Sequence, residues 1–309
     1  MFQALSSDGG ALGSALRWGS DGLILQLRIA YVYESGLSSL DGVLLAADFF
    51  PPVETACRAA GMALVSRPHP PALPHGAIRE VLPGIHLVNG TVRMAMPPLS
   101  FSRNMTILRD GERLVLVNCV RLDEAGLASL DALGTVTDVI RLAGGHGMDE
   151  PFYRERYGAK VWAVAGQRYT AGADDRARDV YLEPDVAMAP GTELPVPGAR
   201  LYTIRSTPPD ALLVLDRQGG TVVAGDSLQN WVRPDNHFNL LARMLMPLMG
   251  FVRPYNIGPA WLKDCKPPPD DLRGILALDF ANVLPAHGEA VIGGARDHYR
   301  SAIERVSSG

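Results

Sequence analysis

Apolar and polar residues alternate cleanly over 23–33, where Leu23, Leu25, Leu27, Ile29, Tyr31 and Tyr33 fall on one side of an extended chain. That period of two predicts a strand with one buried face. Val43–Ala47 is a second apolar run. Pro52–Met62 reads as a short helix, with proline in its first turn and Gly61 near its end, and Ala63–Ser66 as a third strand. Residues 1–21, rich in Gly and Ser, read as loose chain. Pro68, Pro70, Pro71 and Pro74 then crowd together, which neither a helix nor a central strand tolerates. A boundary is placed there, with an accessory segment over 1–75 and a main domain over 76–309.

Downstream, short β-rich runs alternate with turns. Strands are predicted over Ile85–Val88, Met105–Leu108 and Leu114–Asn118, with Asp110-Gly111 joining the last two as a hairpin. Glu124–Leu133 has helical spacing. A strand over Val136–Leu142, a helix over Pro151–Tyr157 and a strand over Lys160–Ala165 follow. Three more strands are predicted over Leu201–Ile204, Ala211–Leu215 and Thr221–Ala224, the last two joined at Gln218-Gly219-Gly220. Phe238–Phe251 is an apolar helix and Asp270–Asp279 another. Asn282–Pro285 is the last strand, and Ala295–Val306 an amphipathic helix with Tyr299, Ile303 and Val306 on one side. Strands mixed with helices in this order predict a layered α+β domain.

Composition narrows the functional classes. With 309 residues, 47% hydrophobic and 20% charged, the chain has the balance of a globular protein. A net charge of −4 provides no basic footprint for nucleic acid. Cys57, Cys119 and Cys265 are odd in number and far apart, which argues against a disulfide framework and for a reducing, cytoplasmic setting. No positive start followed by an apolar core suggests a signal peptide. No apolar stretch reaches the ~20 residues of a membrane span. The expected partner is a small-molecule substrate, not a membrane, with residues 1–75 a candidate for homodimer contact.

Candidate chemistry lies at strand ends. Gly225-Asp226 closes one apolar run, Pro285-Ala286-His287-Gly288 another, and Gly144-Gly145-His146-Gly147-Met148-Asp149-Glu150 follows a third. Each has a plain structural alternative. Gly-Asp is a common turn pair, and Asp149 stands at a helix N-cap position ahead of Pro151. Taken in order, these loops resemble the metallo-β-lactamase fold superfamily from about residue 80 to the C-terminus. The resemblance implies an αββα sandwich, here with an extra N-terminal β/α segment, and metal ligands on loops along one edge. Asp226 matches the family's metal-bridging aspartate and His287 its last histidine. His146 and Asp149 fall in the loop that carries the family's His-x-His-x-Asp-His motif.

The departures are as informative. That loop keeps one histidine, the stretch Ile204–Pro209 has none, and no histidine occurs between His146 and His237. A two-metal centre is therefore not expected. His146, Asp149, Asp226 and His287 would hold at most one divalent ion, with Zn, Fe or Mn suiting the donor set. Asp149 or Glu150, whichever is not a ligand, would take the proton from water. A second cluster, Trp231, His237, Met244 and Trp261, is assigned to an apolar substrate mouth. The Met-rich helix there reads as a pocket wall or partner surface, or else as a helix packed all round in the core, the latter being favoured. Arg233, Arg243 and Arg253 read as solvated rather than as an anion clamp, with one of them an alternative holder of phosphate or carboxylate, and Cys119 reads as a buried structural thiol. The resemblance implies a metal-dependent hydrolase of ester or phosphoester-type small molecules. The alternative is a metal-free descendant that binds a ligand or partner through the Met/Trp-rich segment.

Overall fold

The structure, a computed structural model, describes residues 2–5, 11–19, 22–26, 69–94, 97–167 and 183–308. It divides into two compact units, Met1–Ser66 and Arg67–Gly309. In the first unit β1 (Phe2–Leu5), β2 (Ala11–Gly19) and β3 (Gly22–Gln26) form an antiparallel meander in that order. Residues 1–21 are thus not simply loose. Backbone pairing supplies ladder hydrogen bonds whatever the side chain, so Gly and Ser do not prevent strands there. The strand predicted over 23–33 is met at its start. Its remainder, the run 43–47, the helix over 52–62 and the strand over 63–66 lie outside the described residues.

The second unit opens with β4 (Arg79–Leu82), β5 (Ile85–Arg93), β6 (Ser100–Asp110) and β7 (Arg113–Val117), an antiparallel series. Asp110 pairs with Arg113 across a turn whose Gly111 has φ +61°, the left-handed conformation that the Asp-Gly pair predicted. Helix α1 (Glu124–Leu133) follows, started by Asp123, whose Oδ1 accepts from Gly126 N at 2.8 Å. The sheet is completed in parallel by β8 (Thr135–Arg141), β9 (Lys160–Val164) and β10 (Val186–Met188), with α2 (Glu150–Tyr157) between the first two. The order is β10-β9-β8-β7-β6-β5-β4.

A second sheet is built from β11 (Ala199–Ile204), β12 (Asp210–Leu215) and β13 (Thr221–Ala224). After them come β14 (Leu228–Gln229), α3 (Leu240–Leu248), β15 (Asn256–Ile257), α4 (Pro259–Cys265) and α5 (Pro269–Ile275). Then β16 (Asn282–Leu284) joins β13 in parallel, and α6 (Ala295–Ser307) follows. The order of this sheet is β11-β12-β13-β16.

Burial shows the layers. Ile85, Leu87, Val115, Val117 and Ile140 of the first sheet meet Ala211, Leu213, Leu215, Val223 and Leu284 of the second in one core. The outer face of the first sheet (Met105, Ile107, Leu114, Leu116, Val139) packs on Leu127 and Leu130 of α1 and Tyr153 of α2. That of the second (Leu212, Val214, Val222, Val283) packs on Leu272 of α5 and on Tyr299 and Ile303 of α6. Helix on sheet on sheet on helix is the αββα sandwich, each sheet burying both faces. α3 departs from expectation. Instead of a helix packed all round, it buries Ala242 and Met246 and exposes Leu240, Met244 and Leu248.

Candidate metal centre

Three strand ends converge at one edge of the sandwich, and Asn118 ties them together. It follows β7 with φ +56°, a conformation Asn tolerates better than most residues. Its Nδ2 donates to Ala224 O at the end of β13 (3.0 Å), and its Oδ1 accepts from Leu142 N at the end of β8 (3.2 Å). One side chain thus bridges both sheets where the His146 and Asp226 loops begin. Gly225 is needed there because a Cβ would sit 2.7 Å from Ala143 Cβ and 3.0 Å from Asp210 Oδ2. Asp210, buried at the head of β12, accepts from Asp226 N (3.1 Å) and Ser227 Oγ (3.2 Å), which holds the Gly-Asp turn. Burial, then the adjacent Asp226 charge, pushes the Asp210 carboxyl well up.

The loops bring His146, Asp226 and His287 together. Asp226 Oδ1 lies 3.1 Å from Nε2 of each histidine, and one ligand atom from each residue fits within 4.8 Å of the others. Burial opposes ionisation of Asp226, but the two imidazoles outweigh it and hold its carboxyl well below the usual carboxylate range. Its Oδ2 has no hydrogen bond among the described residues, and the side chain is 22% exposed. Gly145 leaves it room, since a Cβ there would stand 3.2 Å from Oδ2.

His287 is fixed from behind by Nδ1, 3.0 Å from the Ser102 carbonyl. Trp231 lies against it, ring centroids 5.0 Å apart, and Trp231 Nε1 donates to Ser102 Oγ at 2.8 Å. Phe101 flanks the same ring at 6.1 Å. The next residue, Gly288, has φ +92° and passes so close to Asn230 that a Cβ would lie 2.2 Å from its carbonyl carbon. Asn104 Nδ2 donates to both Pro285 O and Gly288 O, locking the turn that presents His287.

No protein-family model matches the chain, and no curated protein is significantly similar to it. Solved structures are similar in fold. A DIM-1 metallo-β-lactamase exposed to ceftazidime superposes with TM-score 0.50 and 12% identity, over 76% of this chain and 98% of that one. A metallo-β-lactamase from Erythrobacter litoralis with β-mercaptoethanol in its active site does so with TM-score 0.50 and 12% identity, over 74% and 96%. The fold is the metallo-β-lactamase fold. Within it, the three grouped residues stand on the loops that the resemblance pointed to.

Asp149 is not one of them. Rather than reaching the His146 cluster, its carboxylate pairs with the buried Arg103, and its Oδ2 accepts from Arg121 N at 2.8 Å. It makes no side-chain cap bond either. Arg103 alternates with Ser102 and Asn104 on β6, and so lies on the sheet face with Met105 and Ile107, away from the two-sheet core. Asp149 follows it to that side. Glu150 is buried there too, and both its carboxylate oxygens lack a hydrogen bond. Burial pushes its carboxyl up, against the pull of Arg141. Neither residue is placed to serve as ligand or base at the His146 cluster.

The predicted substrate mouth is only partly assembled. Trp231 walls His287, and His237 Nδ1 lies 2.7 Å from Thr91 Oγ1 near the start of α3. Met244 is on the exposed stripe of α3, whereas Trp261 is buried in the core behind the four-stranded sheet. Sequence reasoning missed Asn118, Asp210 and Asn104. Each is a polar residue beside an apolar strand run, a weak signal by itself.

Proposed function

We propose that the chain is a mononuclear metal-dependent hydrolase of small esters or phosphoesters, with His146, Asp226 and His287 as protein ligands and Zn, Fe or Mn as the ion. The observation that carries this reading is the orientation of His287. The Ser102 carbonyl only accepts, so Nδ1, 3.0 Å away, bears the ring proton. In the neutral ring Nε2 is then an acceptor, and it faces another acceptor, Asp226 Oδ1, at 3.1 Å. Two acceptors in that position call for a cation between them or a proton on one. Imidazoles that bind metal are held in this way, the distal nitrogen donating to a backbone carbonyl.

Two imidazoles and one carboxylate are three protein ligands with a position to spare, the pattern of catalytic rather than structural sites. When bound, the ion supplies Lewis acidity that acidifies water and polarises an ester or phosphoryl oxygen. The chain's own residues do the rest. Asp226 Oδ2, held ionised and without a hydrogen bond among the described residues, can accept a hydrogen bond from water and orient it. Phe101 and Trp231 pack on His287 and exclude water from that side. The fold leaves the substrate open.

Elemental analysis of the purified chain, with assays on aryl acetates and bis-aryl phosphodiesters, tests this. About one ion per chain is expected, lost together with hydrolysis in Asp226→Ala and His287→Ala. A chain that never retains metal, with hydrolysis unchanged in both variants, removes the reading. The metal-free binding alternative draws its support from the exposed apolar stripe of α3.

A further inference from the structure

α3 is apolar on both sides. Leu240, Met244 and Leu248 recur every four residues with Leu241 beside them, which places them on one face of the helix. Leu248 is 84% exposed and Leu240 75%. The opposite face is seated by Ala242 and Met246 on Trp231, Phe238 and Leu99. A helix hydrophobic all round is normally covered, and a contiguous exposed apolar stripe marks an interaction surface.

Charge says what covers it. From Asn236 to Lys263 the chain has no acidic residue, and its charged residues are Arg243, Arg253 and Lys263, within a protein whose net charge is −4. The C-terminal end of α3 opens into a groove of about 340 Å³ with Leu248, Met249, Ile257 and Leu262 among its lining, and with Arg253 and Arg305. Neither guanidinium group has an ion pair or hydrogen bond among the described residues. An apolar groove with two unpaired guanidinium groups, continuous with an exposed apolar helix, matches an anionic headgroup with acyl chains attached.

We propose that α3 and the adjoining groove dock the protein onto an anionic lipid surface, with the apolar residues of α3 entering the headgroup–acyl boundary and Arg253 and Arg305 holding phosphate. Lying on a surface requires no spanning helix, and among the described residues none is long and apolar enough to span. Trp231 contacts both His287 and the buried face of α3, so the helix is seated beside the candidate centre with its apolar stripe turned outward.

The full chain is tested by sedimentation with phosphatidylcholine vesicles, with and without phosphatidylglycerol. Binding is expected only with phosphatidylglycerol, falling as salt is raised. Met244→Glu/Leu248→Glu and Arg253→Glu/Arg305→Glu each weaken it by about tenfold or more, with circular dichroism unchanged at these exposed positions. His287→Ala binds like the parent, so the result is independent of the metal reading. Binding to neither vesicle, or equally to both, overturns the proposal. So does a concentration-dependent dimer in solution that Met244→Glu/Leu248→Glu abolishes, which would assign the stripe to a second copy.

Discussion

His146 and Asp149 are three residues apart on one loop, yet they serve opposite sides of the seven-stranded sheet. His146 turns toward the sandwich edge, where Asp226 and His287 meet it. Asp149 turns the other way and joins Arg103 in a pair whose side chains are each 6% exposed. Both groups combine a carboxylate with nitrogen partners on neighbouring elements. They differ in what the partner is. Arginine carries a permanent charge that neutralises Asp149 within the fold. The imidazoles share one oxygen of Asp226 and leave the other free. A carboxylate satisfied by arginine is structural; one shared between imidazoles with a free oxygen is available for chemistry.

The comparison can be broken at several points. The largest effect expected is on metal content. Asp226→Ala and His287→Ala should reduce bound metal to background by elemental analysis while leaving the circular dichroism spectrum intact, and Asp149→Ala should leave stoichiometry near that of the parent. Metal lost from Asp149→Ala with unaltered stability would reverse the assignment of the two groups.

Next in size is stability. Asp149→Ala leaves the Arg103 guanidinium buried without its partner, which costs about 3–5 kcal/mol, seen as a lower urea midpoint. Arg103→Met/Asp149→Ala should recover part of that loss, since no isolated charge then remains.

Asn118→Ala lies between the two effects. It removes two hydrogen bonds that join the sheets, for about 1–3 kcal/mol, and lets the His146 and Asp226 loops drift, which should weaken metal affinity about tenfold. Intact affinity in this variant would mean that the loops hold their positions without it.

The smallest effect comes from the Arg205–Asp271 pair, in which only the arginine is exposed. The Arg205 side chain is 71% exposed, that of Asp271 11%, and the two groups are 2.7 Å apart. Hydrogen bonds from Arg205 hold the Asp271 carboxyl below its ordinary value. Its contribution is therefore present above the unfolded carboxylate pKa of about 3.9 and lost as pH falls through the lower folded value. Asp271→Asn should differ from the parent by under about 1 kcal/mol at neutral pH and converge with it in acid. A larger difference than at Asp149 would show that burial does not govern these pairs.

Most of the main domain was legible because its strands are buried on both faces or end in turn residues. The hairpin at Asp110-Gly111 and helix Glu124–Leu133 needed only local chemistry, a left-handed glycine and an Asp cap. β4 and β10 were missed because they are short and lack a distinctive apolar run. α3 was misjudged as core because its composition is apolar on every side, and composition does not tell a covered face from an exposed one.

The sequence by itself determined the order of the longer strands and helices of the second unit and the placement of Asp226, His287 and His146 at strand ends, since period and turn chemistry are local properties. It could not decide between His146 and Asp149, which share a loop. Only the tertiary structure decided that, because the pleat of β6 sends Arg103 to one face and the Ser102 carbonyl accepts from His287. It also decided that Asn118 bridges two sheets. Those contacts join residues up to 185 positions apart, and no local pattern encodes them.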